Sequence, residues 1–87
     1  MSQTRRAVIV RGVRTPFIRA FTELTKLDTI DLGVAATRAL LVRSELGYNE
    51  IDAIVWGGVI LPSGAPNVAR EIALDLKLPH SVSGVTV

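Results

Sequence analysis

The sequence has no cysteine, which excludes disulfides, thiolate zinc sites and a cysteine nucleophile within these residues. That absence is compatible with a cytoplasmic protein, which is the expected setting. Aromatic residues are scarce too: two Phe, one Trp and one Tyr. There is no interleaving of rings with basic residues for bases to stack on, so nucleic acid is not an expected partner. No apolar run reaches the roughly 18 residues needed to span a bilayer. Ala7-Val8-Ile9-Val10 follows Arg5-Arg6 but is cut short by Arg11, too soon for the apolar core of a signal peptide, and no targeting segment is visible. His80 is the single histidine. With no Ser or Cys partner identifiable by spacing, it reads as a surface turn residue. No metal ligand set, repeat or low-complexity segment stands out.

What is present is mostly apolar. Apolar residues make up 48% of the 87 positions, and the mean hydropathy is +0.39. A chain of this length is one small domain or a piece of a larger one, with much surface for its volume. Hydrophobicity on this scale implies that part of it meets another surface. The net charge of +2 hides an asymmetry. Arg5, Arg6, Arg11, Arg14 and Arg19 all fall in the first twenty residues, without one acid. Such a patch suits an anionic small molecule, or it simply solvates a buried strand and the loop after it.

Taken in order, Met1–Thr4 is a polar tail. Ala7 to Val13 reads as a first strand, rich in β-branched residues and covered on both faces as in a parallel sheet. Pro16 ends it. The loop to Leu27 carries Phe17, Ile18, Phe21 and Leu24, and is either a lid or partner surface, or a cover over this chain's own core. Asp28 is the expected N-cap of a first helix, with Asp31 in its first turn, and Gly47 its expected left-handed stop. Ala53 to Ile60 reads as the second strand. Its Gly57-Gly58 pair lacks the spacing of a dinucleotide fingerprint and the lysine of a phosphate loop, which favours close packing over nucleotide binding.

The loop Pro62 to Pro66 leads to Asn67, a good N-cap, and a second helix to Leu76. Val68, Ile72 and Leu76 recur at i, i+4 and i+8 with Ala69 and Ala73 beside them, an apolar stripe made to lie on a sheet. Ser81 to Val87 reads as a third strand, with Ser83, Val85 and Val87 on one face and Val82, Gly84 and Thr86 on the other. The whole is an α/β, mostly parallel β-α-β-α-β unit with right-handed crossovers. Sites in such sheets lie beyond the C-terminal ends of the strands.

Three stretches carry a family resemblance. They are Ala7-Val8-Ile9-Val10 through Arg14-Thr15-Pro16-Phe17, Asp31-Leu32-Gly33 opening a helix, and Ser63-Gly64-Ala65-Pro66-Asn67-Val68-Ala69-Arg70. Together they resemble the N-terminal portion of a thiolase (acetyl-CoA acyltransferase), with Gly-Ala-Pro-Asn in place of the commoner Gly-Gln-Asn. The resemblance covers essentially all of residues 1–87, yet only the opening of a thiolase. It implies a layered αβαβα fold of two similar halves that joins or degrades acyl chains on coenzyme A. Coenzyme A is then a substrate, and no further cofactor is implied.

The family mechanism uses a nucleophilic cysteine, an activating histidine and a second cysteine as acid and base. The nucleophile is expected a few residues beyond Val87, so no catalytic residue transfers onto these positions and the chain alone is expected to be inactive. Asn67 and Arg70 are expected to support the floor of the site; the plainer alternative is a helix cap beside an exposed arginine. The resemblance also places Ser81–Val87 at a dimer interface, with Val82, Val85 and Val87 contributing from both subunits. A competing reading is a non-catalytic, thiolase-like interaction module or a small α/β binding domain.

Overall fold

The structure, a computed structural model, describes residues 5–87; the expected tail at Met1–Thr4 lies outside them. Helix α1 runs over Thr29–Arg43, strand β1 over Ala53–Trp56, helix α2 over Val68–Asp75 and strand β2 over Ser83–Thr86. The two strands are parallel neighbours, with Ala53 opposite Ser83 and Trp56 opposite Thr86. Parallel neighbours need a crossover, and α2 supplies it. The α/β class and parallel pairing therefore follow the sequence pattern.

The first helix starts as its residues dictate. Asp28 accepts the Asp31 N–H at 2.8 Å while the Asp31 carboxylate accepts the Asp28 N–H at 3.0 Å, a reciprocal capping box. Its end corrects the Gly47 expectation. Ser44 is the C-cap, and Glu45 (φ 56°) holds the left-handed position, while Gly47 sits at φ −76° in extended backbone. The Glu45 N–H reaches the Val42 carbonyl and the Leu46 N–H reaches that of Leu41. Those two bonds satisfy carbonyls the helix leaves open, so the chain turns before the glycine arrives. Lys77 (φ 58°) closes α2 in the same way, its N–H on Leu74 O and that of Leu78 on Ala73 O.

All five residues of the α2 stripe, Val68, Ala69, Ile72, Ala73 and Leu76, are buried. Val34 and Leu41 of α1 join them with Leu78 and Val82, and Ile54 and Trp56 pack on from β1. Gly33 permits the helix crossing: a Cβ there would lie 2.5 Å from Ile72 Cδ1 and 3.1 Å from the Trp56 ring.

Three strand expectations need correction. Ala7–Val13 does not form a strand, and Ile9 is 98% exposed. A β-branched run holds a strand only when a ladder partner and a covering layer are supplied, and neither reaches it here. The second strand stops at Trp56 instead of Ile60. It is covered on one face only, since Ile54 and Trp56 point to the helices while Ala53 and Val55 are exposed. Val59 and Ile60 are exposed as well. Mildest is the third: the strand expected over Ser81 to Val87 is confined to Ser83–Thr86, because a turn that bonds the Val82 N–H to the Pro79 carbonyl precedes it. Phe17 and Phe21 also face outward, which removes the own-core reading for these two rings.

Candidate functional site at the C-terminal end of the sheet

Both strands end beside the first turn of α2. The parallel ladder continues past its last paired residues: the Val87 N–H donates to Trp56 O at 2.7 Å, and the Gly58 N–H donates to Val87 O at 3.1 Å. Gly58 thus extends the ladder at the strand end, but the close packing expected of the pair is not there: a Cβ on Gly57 would meet open space, and one on Gly58 only the flexible Leu61 side chain.

Asn67 is the N-cap of α2, and its Oδ1 accepts the Arg70 N–H at 3.2 Å. The same oxygen accepts the Thr86 hydroxyl at 2.8 Å. The Asn67 Nδ2 donates to the Gly84 carbonyl at 3.1 Å. Thr86 Oγ1 in turn accepts the Ala69 N–H at 3.1 Å, an N–H that the start of a helix leaves without an intrahelical partner. Three hydrogen bonds therefore join the start of α2 to the end of β2, and the fourth is the cap bond within α2.

Gly84 makes the close approach possible. A Cβ on it would sit 2.8 Å from Arg70 N and 3.0 Å from the Ala69 carbonyl carbon, both backbone atoms that cannot swing aside. Neither Gly84 nor Thr86 was among the residues singled out from the sequence. Each had one weak signal, a glycine inside a strand pattern and a hydroxyl on the helix-facing side of it.

The residues expected to matter separate in space. Asn67 is at the centre of the network, and Arg70 enters it through its backbone N–H with a half-buried side chain. Val82 is 1% exposed and belongs to this chain's own core, so its side chain is not free to meet a partner. Val85 and Val87 lie on the opposite, exposed face, which matches the alternation read from the sequence. His80 is exposed, as expected of a turn residue. Among the described residues no group of His, Asp and Glu is arranged to hold a metal ion, and no helix is long and apolar enough to cross a membrane.

The family model for the thiolase N-terminal domain matches residues 7–87. This chain belongs to the thiolase family. Over 82 residues it is 39% identical to a 3-ketoacyl-CoA thiolase of Shewanella pealeana, an alignment covering 94% of this chain and 19% of the relative. A 3-ketoacyl-CoA thiolase of Shigella flexneri is 44% identical over 72 residues, 83% of this chain and 16% of that one. Among solved structures, the Acat5 thiolase from Ascaris suum in complex with coenzyme A superposes with a TM-score of 0.72 at 31% identity, over 77% of this chain and 18% of that one. The chain thus spans about a fifth of the length of the curated thiolases it matches. The α/β unit described above is the thiolase fold over that span.

Proposed function

We propose that this chain is the opening part of an acyl-CoA thiolase. The complete protein transfers acyl groups to and from coenzyme A, by thiolytic cleavage of a 3-ketoacyl-CoA or by the reverse Claisen condensation. The observation that carries this reading is the thiolase N-terminal match over residues 7–87, with relatives named as 3-ketoacyl-CoA thiolases. The solved neighbour holds coenzyme A, which supports coenzyme A as a substrate here. Thiolysis needs a thiolate to accept the acyl group. These residues contain no cysteine, so the acceptor belongs to the rest of the protein.

The relatives are named as 3-ketoacyl-CoA thiolases, which supports cleavage of a 3-ketoacyl-CoA; a place in β-oxidation is one finer part of this proposal. Dimer formation through β2 is the other. On the edge away from β1 the strand has no neighbour among the described residues, and its outer face carries exposed Val85 and Val87. Cleavage of acetoacetyl-CoA and of longer 3-ketoacyl-CoA substrates by the complete protein tests the activity. A folded, pure complete protein that cleaves neither would refute it.

A further inference from the structure

We propose that Asn67 and Thr86 form a clamp that positions the backbone leaving β2 at the C-terminal edge of the sheet, and that turnover depends on its hydroxyl–carboxamide geometry. The proposal rests on the thiolase reading above and assigns two positioning residues to that same site.

Three observations carry it. First, the anchor is rigid: Val68, Ala69 and Ile72 of α2 are fully buried, so the first turn of α2 is a fixed reference. Second, the strand end is tied to that reference by directional polar bonds. Thr86 Oγ1 sits between Ala69 N–H and Asn67 Oδ1, and Asn67 Nδ2 holds the Gly84 carbonyl. Third, Gly84 brings the two backbones so near that a single Cβ would separate them.

Burial alone would not demand this arrangement. Val82 already fastens the strand to the core, and Asn67 is exposed, where water could satisfy its amide. Hydrophobic contact is non-directional, whereas hydrogen bonds fix angle and register. The clamp therefore specifies where the chain goes after Val87. In α/β sheets that edge is where ligands and reacting groups gather, and displacement there by about 1 Å can cost on the order of a hundredfold in rate.

The clamp is tested first on the chain itself by amide hydrogen exchange. Thr86→Val keeps the shape and removes the hydroxyl. The Val87 and Gly58 amides are expected to exchange about tenfold faster, as suits the loss of one or two net hydrogen bonds, while Ala73 inside α2 and its C-cap Leu76 stay protected. Thr86→Ser is expected to restore the slow exchange. The consequence is then read in the complete protein. Thr86→Val is expected to lower kcat about tenfold or more, with KM for coenzyme A within about twofold, and Thr86→Ser to recover most of the rate.

Asn67→Ser is the second variant, in case Thr86→Val does not fold. Serine still caps α2 but is too short to hold Thr86 and Gly84 together, and the same kcat-only loss is expected. Unchanged exchange at Val87 and Gly58, or unchanged kcat in a folded variant, overturns the clamp. A complete protein that is folded but shows no thiolysis before any substitution overturns the thiolase reading instead, and the exchange measurement still decides the clamp.

Discussion

At the residue scale, Asn67 serves two structures with one carboxamide. Its oxygen caps α2 and accepts from Thr86, and its nitrogen holds β2 through Gly84. The cap was legible in the sequence because it is local, an Asn placed before an apolar stripe. The clamp was not, because its partners lie 17 and 19 residues away, and no spacing rule reports on a neighbour that distant. Gly84 shows the same limit: its small size is explained only by the α2 backbone above it. Gly84→Ala is expected to destabilise the chain by about 1–3 kcal/mol, since the added methyl must push rigid backbone apart. A denaturant midpoint equal to that of the unsubstituted chain would count against the close contact. Arg70 makes a sharper functional case. Arg70→Ala in the complete protein is expected to keep the melting temperature and lower turnover about tenfold, if its side chain braces the neighbouring loops. Equal turnover would return it to a plain half-buried arginine.

At the element scale, legibility tracked how far each signal depends on its surroundings. Helix α2 was readable to within a residue, since its cap Asn67 and the apolar stripe through Leu76 lie within ten positions. The start of α1 was readable for the same reason, but its end was not. The turn was expected at Gly47, yet the helix closes at Glu45 because two backbone bonds become available there first. Strand propensity is the weakest guide, because it measures fit to a pleated, covered surface. Gly12 and Val13 only line a hollow with Ala36, Thr37, Leu40 and Trp56, and the apolar run before them joins no ladder. Strand β2 poses the complementary question, an ordered strand with one edge open among the described residues. No lysine, proline or bulge blunts that edge, so it is a template for pairing. In the proposed dimer a two-fold axis brings Val85 and Val87 in once from each subunit, residue i meeting j as j meets i. A structure of the complete protein is expected to show the partner's strand beside Ser83–Thr86. Strands of the same chain on both sides, or bulk water on the free edge, would sink that arrangement.

At the scale of the whole molecule, the described unit has a buried core on one side of its sheet and bare apolar surface on the other. Val55, Val85 and Val87 face outward from the strands, and Phe17, Phe21 and Ile60 are exposed elsewhere on the unit. This is more exposed apolar surface than scattered single residues would give. It agrees with the composition, whose apolar share exceeds what a chain of this length can bury alone. The core and the clamp are thus contained in these residues, whereas the proposed chemistry is not. Thiolysis splits a difficult acyl transfer into two steps through a thioester on the enzyme, and a serine hydroxyl needs an adjacent base to do comparable work. The one histidine, His80, lies exposed in a turn, and no cysteine is present. The purified 87-residue chain is therefore expected to leave acetoacetyl-CoA and coenzyme A unchanged at any pH at which it stays folded. The measurement is the loss of acetoacetyl-CoA absorbance with time, set against a blank without protein. Cleavage above that blank, surviving repurification and scaling with chain concentration, would mean that these residues hold an acyl acceptor after all.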